Sequence, residues 1–250
     1  MLKLPESNMK IFIDSGDIEE IRKYLSWGVC DGVTTNPTIF LKAGVTGGKQ
    51  AMVKRAKEIA ALIAPLSYSV EVTTDEPQAI LEEAREFAAL AKNVAVKVTI
   101  TDRKGESLLP VIRQLVSEGI AVNVTAMTTF NQAILAAKAL ASGYRENPKA
   151  KKPSYVSIFA GRISEEHGAE HAFNVIQNVR RWLDSYSMKD MEIIVGSVRS
   201  AENVEYWSKA GAHILTIPPE IIGKLLSSAR TRETVSQFIE DGQKSLKKLQ

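Results

Sequence analysis

Eight short runs rich in Val and Ile alternate with helical segments along the chain, and this alternation limits the possible folds more than any other feature. The runs are Ile11–Asp14, Gly32–Asn36, Tyr68–Val72, Val94–Val98, Ala121–Ala126, Tyr155–Phe159, Glu192–Val198 and His213–Ile217. Most lack strict polar alternation, as expected of parallel strands covered on both faces. Each unit averages roughly 31 residues, a typical length for a βαβ unit. The pattern predicts a single-domain (β/α)8 TIM barrel, with an open doubly wound sheet as the alternative.

The composition excludes several other classes of protein. Hydrophobic residues make up 44% of the 250 residues and charged residues 24%, which is typical of a globular protein. A formal net charge of +3 is too small to indicate a nucleic-acid partner, although it suits anionic small molecules. The single cysteine, Cys30, rules out an internal disulfide. Since there is no apolar run of membrane-spanning length and no signal-peptide core, we expect a cytoplasmic protein without a membrane partner.

Local signals outline the domain and its helices. Residues 1–8 are polar, so we interpret them as an N-terminal extension and residues 9–250 as one barrel domain. Asp17 is expected to cap the first helix, with Glu20 completing a capping-box pattern. The segment Thr231–Leu249 is predicted to be a long amphipathic helix.

Polar residues stand at the ends of most predicted strands. They are Asp14, Asn36, Glu71, Lys97, Thr125, Ser157 and, in and after the seventh run, Ser197 and Arg199. Polar side chains within otherwise apolar strands are costly to bury unless they have partners. The C-terminal ends of barrel strands meet at one mouth, where barrel active sites lie. We therefore expect these side chains to face one another in an active site.

Lys97 is the central candidate, because apolar residues flank it on both sides in the run Val94–Val98. A buried lysine can lose its proton and attack a carbonyl, forming a Schiff base. The alternative is a structural ion pair with Asp14 or Glu71. The spacing alone slightly favours this alternative, since structural lysines far outnumber catalytic ones.

Two arginines, Arg162 and Arg199, each lie just past a predicted strand. Together they could hold a phosphate through bidentate guanidinium contacts, and phosphate sites after the late strands are common in barrels. Taken singly, either arginine is better explained by a surface ion pair.

A pair of histidines gives only a weak metal signal. His167 and His171 have the i, i+4 spacing seen in zinc sites, but Gly168 stands where the zincin motif has glutamate. We therefore predict no metal site.

Seven short motifs occur in order along nearly the whole chain. They are IFIDSGD at 11–17, DGVTTNPT at 31–38, SVEV at 69–72, AVKV at 95–98, NVT at 123–125, SIFAGRI at 157–163 and GSVRS at 196–200. With them the chain resembles the transaldolases, most closely the short subfamily that includes fructose-6-phosphate aldolase. The resemblance implies a (β/α)8 barrel with class I aldol chemistry that uses no metal and no cofactor.

The resemblance also implies four catalytic residues. Lys97 matches the Schiff-base lysine, which would attack a ketose carbonyl, cleave the bond between C3 and C4 and hold dihydroxyacetone as an enamine. Asp14 matches the general acid/base at the C4 hydroxyl. Glu71 and Thr125 match the residues that hold a catalytic water for proton transfers.

Further positions match substrate-binding residues of the family. The groups that bind the dihydroxyacetone part are matched by Asn36, Asn123 and Ser157. The phosphate-binding set is matched by Arg162, Ser197 and Arg199.

Phe159 and Glu71 occupy positions that separate the subfamilies. In the fructose-6-phosphate aldolases the position of Phe159 resembles a tyrosine and that of Glu71 a glutamine. A tyrosine hydroxyl can protonate the enamine and so release free dihydroxyacetone. The Glu71–Phe159 pairing resembles the transaldolases and favours transfer. Two departures lie nearby, since Thr99 and Ile158 stand where the family usually has proline.

The leading hypothesis is a transaldolase of the pentose phosphate pathway. It would move a dihydroxyacetone unit from sedoheptulose 7-phosphate or fructose 6-phosphate to glyceraldehyde 3-phosphate or erythrose 4-phosphate. The alternatives are a Schiff-base aldolase that releases dihydroxyacetone and a sugar-phosphate-binding barrel without turnover. The resemblance also implies a homo-oligomer, a pentamer or decamer, in which the final helix reaches a neighbour.

Overall fold

The eight predicted strands form a closed parallel barrel. A computed structural model describes residues 9–150 and 153–247. Its strands are β1 (Lys10–Asp14), β2 (Gly32–Thr34), β3 (Ser67–Glu71), β4 (Val94–Thr99), β5 (Val122–Met127), β6 (Ser154–Phe159), β7 (Met191–Gly196) and β8 (Ile214–Ile217). Each strand pairs in parallel with its neighbours in chain order, and β8 pairs with β1. The predicted single-domain (β/α)8 barrel is confirmed, and the open-sheet alternative is excluded.

Helices connect the strands and cover the outside of the sheet. In the described part of the chain they are α1 (Ile18–Ser26), α2 (Pro37–Lys42), α3 (Gly48–Ile63), α4 (Pro77–Ala88), α5 (Leu109–Ser117), α6 (Phe130–Glu146), α7 (Ala160–His167), α8 (Ala169–Ser185), α9 (Ala201–Ser208), α10 (Pro219–Leu225) and α11 (Ala229–Lys247). Outward-facing strand residues such as Ile13, Val96 and Ile193 pack with buried helix residues in one large apolar cluster. This layer accounts for the near-continuous apolar character of the strands.

The start of α1 differs from the predicted capping box. Asp17 caps the helix as predicted, because its carboxylate accepts the backbone N–H groups of Glu19 and Glu20. Glu20, however, does not reach back to the cap. Its carboxylate accepts the hydroxyl of Ser15 at 2.6 Å, and the Ser15 oxygen accepts the backbone N–H of Asp17. These bonds tie the first turn of α1 to the end of β1.

Two predicted strands extend two residues past the C-terminal ends of the strands observed. The run Gly32–Asn36 ends as a strand at Thr34, because Asn36 is the N-cap of α2 and its side chain accepts a helix N–H. The run Glu192–Val198 ends before Ser197, which has a left-handed backbone with φ +62°. This conformation is strained for serine and breaks the ladder.

β5 carries a bulge near its C-terminal end. Its pairing with β6 shifts between Val124 and Met127, and Ala126 between them has φ +62°. Bulges redirect side chains and are frequent beside active sites. Here Thr125 and Ala126 lie within the bulge.

An apolar plug fills the middle of the barrel. It consists of six buried residues, Phe12, Ala95, Ala121, Tyr155, Ile194 and Ile214. Because strand side chains alternate, the residue two positions further along each strand also points inward, closer to the C-terminal mouth. These residues are Asp14, Lys97, Asn123, Ser157, Gly196 and Thr216. The plug is therefore the floor of a polar layer.

Polar contacts close the N-terminal end of the barrel. Lys10 pairs with Glu192 at 2.7 Å, and the hydroxyls of Ser67 and Tyr155 lie 2.8 Å apart. His213 accepts the backbone N–H of Ile193 at its Nδ1 atom, at 3.0 Å. Burial, reinforced by the nearby Arg180 charge, lowers the pKa of His213 to about 4. The imidazole is therefore neutral at pH 7.

The predicted final helix is observed as α11, and it is exposed along its described length. Its apolar residues Val235, Phe238, Ile239 and Leu246 are all more than half exposed in the single chain. Leu249 and the proposed extension at residues 1–8 lie outside the described residues. No helix among the described residues combines the length and the apolar character needed to cross a membrane.

Candidate active site

A cavity of about 520 Å3 opens at the C-terminal mouth of the barrel. Eight of the predicted site residues line it, namely Asp14, Asn36, Lys97, Ser157, Phe159, Arg162, Ser197 and Arg199. The other three, Glu71, Asn123 and Thr125, lie on β3 and β5, the strands that flank β4. The structure therefore brings all eleven predicted residues to one end of the barrel.

Lys97 lies at the bottom of this cavity and is paired. Its side chain is 5% exposed, and its Nζ atom lies 3.1 Å from Oε2 of Glu71. The same amine donates to the backbone carbonyl of Thr35 at 3.2 Å. Lys97 and Glu71 are direct register partners on adjacent strands, which explains the contact. The ion-pair interpretation is therefore correct for Glu71, and the paired amine still faces the cavity.

The carbonyl that holds Lys97 is itself fixed by neighbouring groups. The backbone N–H of Thr35 donates to Ser69 at 2.8 Å, and the Thr35 and Tyr68 hydroxyls lie 2.8 Å apart. These contacts join the end of β2 to β3. They hold the lysine amine in one position.

Asp14 lies beside Lys97 in a partly buried, polar setting. Its Oδ1 atom accepts the hydroxyl of Thr34 at 2.5 Å. Burial raises the pKa of Asp14 above its ordinary value. The Lys97 charge and the Thr34 hydrogen bond oppose this rise, whereas Glu71 and Glu220 add to it. Asp14 therefore holds a proton more readily than an ordinary aspartate, which suits a general acid/base.

Three buried polar atoms of predicted site residues have no hydrogen-bond partner among the described residues. They are Asn123 Oδ1, Thr125 Oγ1 and Ser197 Oγ. The amide nitrogen of Asn123 is bound, since it donates to the hydroxyl of Ser69 at 3.1 Å. Because leaving buried polar atoms unpaired is costly, such atoms are well suited to binding the hydroxyls of a substrate or a water.

The two arginines lie on the β6–β7 side of the cavity, Arg162 in the first turn of α7 and Arg199 in the loop after β7. The guanidinium of Arg162 lies 5.3 Å above the ring centroid of Phe159. Arg199 is 57% exposed and forms an ion pair with Glu165 at 3.3 Å. The surface ion pair considered for a single arginine is therefore present at Arg199, although both arginines also line the cavity.

Gly161 lets the first turn of α7 approach the loop after β7. A Cβ atom at this position would overlap the carbonyl oxygen of Ser197. Only glycine permits this approach of α7 to the loop. The approach fixes the spacing between Arg162 and Arg199.

Carboxylates lie on another part of the cavity lining. Asp17, Glu20 and Glu220 line it together with Asp14. The cavity thus has an arginine-bearing edge and an acidic edge, an arrangement suited to a ligand that is anionic at one end and carries hydroxyls at the other.

Several lining residues were not predicted from the sequence. Thr34, Thr216 and Glu220 line the cavity, and Ser69 lies behind it. A signal existed for Thr216, because it is the one polar residue of β8 and stands two positions after the plug residue Ile214. Threonine is a frequent strand residue, so composition alone did not distinguish it.

The two departures from the family motifs, Ile158 and Thr99, lie on different faces of the barrel sheet. Ile158 is buried in the outer apolar cluster and points away from the cavity. Thr99 lies at the end of β4, where its hydroxyl donates to the carbonyl of Thr101 at 2.8 Å. The Thr99 bond replaces a proline as the restraint on this turn.

The two histidines considered for zinc pack against each other. The rings of His167 and His171 lie 5.2 Å apart where α7 meets α8. Within residues 9–150 and 153–247, no group of three or more His, Cys, Asp or Glu is arranged to hold a metal ion.

The fold and the cavity define a parallel (β/α)8 barrel with a lysine-centred polar site. Solved barrels share the fold, including dihydrodipicolinate synthase from Rhodopseudomonas palustris (TM-score 0.55, 14% identity, 86% of this chain and 72% of that one). Another is thiamine phosphate pyrophosphorylase from Pyrococcus furiosus (TM-score 0.53, 9% identity, 84% and 85% covered). At this identity the likeness concerns the fold alone.

Sequence relatives specify the family. Proteins named probable transaldolase from Rhodospirillum centenum and Thermoplasma acidophilum are each 35% identical to this chain. The matches cover 95% and 94% of this chain, and 92% and 96% of those proteins. A family model described as Transaldolase/Fructose-6-phosphate aldolase matches residues 11–250. The chain belongs to the transaldolase/fructose-6-phosphate aldolase family.

Proposed function

We propose that this protein is a transaldolase that moves a dihydroxyacetone unit between sugar phosphates through a Schiff base on Lys97. The donor would be sedoheptulose 7-phosphate or fructose 6-phosphate, and the acceptor glyceraldehyde 3-phosphate or erythrose 4-phosphate. This reaction places the enzyme in the pentose phosphate pathway. The observation that carries the proposal is the buried Lys97 amine facing the cavity, 3.1 Å from Glu71 and close to Asp14.

The first half of the reaction forms the Schiff base. The neutral amine of Lys97 attacks C2 of the ketose, and Glu71 accepts the ammonium proton that must first be removed. The resulting carbinolamine loses its hydroxyl as water after protonation, which leaves an iminium ion. Glu71 is within direct reach of the amine, and Thr125, two positions beyond Asn123 on β5, has a hydroxyl without a partner among the described residues. These two residues are therefore suited to relaying the protons through a water.

The second half breaks and remakes a carbon–carbon bond. Asp14, as a carboxylate, removes the proton of the C4 hydroxyl, C4 becomes an aldehyde, and the electrons of the C3–C4 bond move into the iminium to give an enamine. The aldose phosphate leaves, and an acceptor aldehyde enters. C3 of the enamine attacks it, Asp14 returns the proton to the new alkoxide, and water releases the product from Lys97.

The remaining residues would hold the two ends of the substrate. Asn123 and Ser157 lie in the polar layer near Lys97 and would bind the hydroxyls of the dihydroxyacetone unit, together with Asn36. Arg162, Ser197 and Arg199 form the edge that would bind the phosphate. A guanidinium group can bind phosphate oxygens through two parallel hydrogen bonds, which suits a phosphate end that must be held throughout the transfer.

A second candidate is an aldolase that releases free dihydroxyacetone. Phe159 argues against it, because its ring lies under Arg162 and offers no hydroxyl to protonate the enamine. Free dihydroxyacetone formed from fructose 6-phosphate without an aldose acceptor, at the rate of the full transfer, would establish this alternative.

The proposal is tested by borohydride trapping with fructose 6-phosphate, followed by mass analysis of the peptide that contains Lys97. A reduced three-carbon adduct on Lys97 supports both Schiff-base formation and cleavage. An intact six-carbon adduct would direct attention to Asp14 or to another donor. A lack of adduct with every ketose phosphate tested would leave the sugar-phosphate-binding barrel as the better explanation.

We also propose a cytoplasmic homo-oligomer, a pentamer or decamer. The exposed apolar residues of α11 support this, because a monomer rarely leaves such a row in contact with water. Light scattering coupled to size-exclusion chromatography measures the state, and a 27.4 kDa species at micromolar concentration would contradict it.

A further inference from the structure

Two threonine hydroxyls and the Asp14 carboxylate, on three adjacent strands, form a hydrogen-bonded row at the mouth of the barrel. Asp14 on β1 is the register partner of Thr34 on β2. Thr34 Oγ1 lies 2.5 Å from Asp14 Oδ1 and 2.5 Å from Thr216 Oγ1 on β8. Thr34 is 1% exposed and Thr216 is 5% exposed, so water competes little for these bonds. We call these two threonines the hydroxyl chain.

Counting protons gives this chain a direction. Each threonine has one hydroxyl proton, and an ionised Asp14 can only accept. Thr34 must therefore donate its proton to Asp14, and Thr216 must donate to Thr34. When Asp14 is protonated, the whole order can reverse, so that Asp14 donates to Thr34 and Thr34 donates to Thr216. The chain thus keeps Asp14 hydrogen-bonded in both of its protonation states.

Each charged group around Asp14 favours only one of the two protonation states of its carboxyl group. Lys97 on β4 favours the ionised carboxylate, whereas Glu71 on β3 and Glu220 on α10 favour the protonated form. Thr34 is the neutral side chain found hydrogen-bonded to Asp14 among the described residues, and Thr216 bonds Thr34 in turn. Cooperative hydrogen bonds strengthen one another, so Thr216 reinforces the bond that Thr34 donates.

We propose that Thr34 and Thr216 are positioning residues that set the proton affinity of Asp14 through this chain. Thr34 acts directly and Thr216 acts through Thr34. The consequence for catalysis rests on the proposed role of Asp14 as the general acid/base. The effect on Asp14 itself does not depend on that role.

The test is a carbon-13 NMR titration of the Asp14 carboxyl in the full-length protein, with the signal assigned from an Asp14→Asn variant. Thr34→Val removes the direct donor and is expected to lower the acid dissociation constant of Asp14 about threefold to tenfold, the size of one net hydrogen bond. Thr216→Val should lower it less, by about twofold, because it weakens the Thr34 bond without removing it. Thr34→Ser and Thr216→Ser keep the hydroxyls and should restore the wild-type value.

Ser67→Ala is the matched control, because it removes an interior hydroxyl from the opposite end of the barrel. It should leave the Asp14 titration unchanged, although it lowers stability. An Asp14 titration that moves equally in Ser67→Ala and Thr216→Val would overturn the proposal, as would valine variants that titrate like the wild type.

The pH profile of kcat gives a second readout. If the proposed transfer is right, the limb that depends on Asp14 should shift with the NMR titration in each variant. A wild-type protein without turnover on any ketose phosphate would contradict the proposed function, while the NMR titration would still decide on the hydroxyl chain.

Discussion

Glu71 and Lys97 face each other across the β3–β4 ladder, with 3.1 Å between Oε2 and Nζ, and both side chains are largely removed from water. A buried ion pair of this kind is costly to break, because the remaining partner keeps its charge without compensation. In the proposed mechanism, the pair also provides a base beside the amine that must be deprotonated. The same contact therefore affects both stability and reactivity. The substitutions that test it should preserve the size or the charge of the side chain they replace.

Lys97→Arg should abolish adduct formation and turnover while the barrel stays folded. Arginine keeps the positive charge opposite Glu71, but it is not a usable amine nucleophile. Borohydride trapping and circular dichroism together check this, with Lys49→Arg, whose surface lysine pairs with Glu86, as the control. Residual turnover above about 1% of wild type would exclude Lys97 as the nucleophile.

Glu71→Gln should slow Schiff-base formation by about 100-fold or more, because the amide cannot accept the lysine proton. The shape of the site is kept, so substrate affinity should change far less than kcat. Rapid-quench trapping of the adduct measures the step directly. An unchanged trapping rate would show that another group removes the proton.

Arg199→Ala should reduce kcat/KM for a phosphorylated donor by about tenfold and hardly affect dihydroxyacetone transfer from an unphosphorylated ketose. The expected loss is modest because Arg199 is 57% exposed and already paired with Glu165. Steady-state kinetics on both donor types measure the difference. Arg113→Ala removes a similarly exposed arginine that pairs with Glu146 away from the cavity, and it should not discriminate between the donors. Equal losses on both donors would remove Arg199 from the phosphate site.

Gly161→Ala should destabilise the fold by at least about 2 kcal/mol, because the new methyl group collides with the Ser197 backbone. Gly223→Ala is the matched control within a helix, where a Cβ atom meets nothing within 4 Å. That change should be neutral or stabilising by up to about 1 kcal/mol. Urea unfolding compares the stabilities of the two variants. A stable, fully active Gly161→Ala protein would contradict the close approach of α7 to the loop after β7.

Stability should fall on acidification because of His213. Its pKa is lowered to about 4 in the folded protein, while the unfolded chain takes up the proton near 6.5. Between these values the unfolded state binds more protons, so the free energy of unfolding decreases as the pH falls. The expected loss between pH 7.5 and pH 5 is about 2 kcal/mol. Urea unfolding at both pH values measures it.

The control variants for this pH effect are His213→Gln and His171→Asn. The first removes the titrating imidazole and should reduce the pH dependence. The second removes an exposed histidine and should leave the pH dependence of stability in place. Identical pH dependence in all three proteins would assign the acid sensitivity to other groups.

The strands could be predicted from the sequence because each one buries both faces, which leaves a run of β-branched residues. The partner of Lys97 could not be chosen, since Asp14 and Glu71 were equally available and only the register between β3 and β4 places Glu71 opposite. The sequence predicts Ser197 within the seventh strand, whereas the structure places it just beyond β7. The sequence could not show this, because the left-handed backbone of Ser197 depends on packing against Gly161 rather than on local preference.

The apolar plug beneath the polar layer has a consequence for the order of events. With Phe12, Tyr155 and their neighbours filling the barrel axis, the cavity has a floor and opens at the C-terminal mouth. In the proposed transfer, the first aldehyde therefore leaves through the mouth by which the second enters. The two aldehydes would occupy the site one after the other, with the three-carbon unit held on Lys97 between the two events.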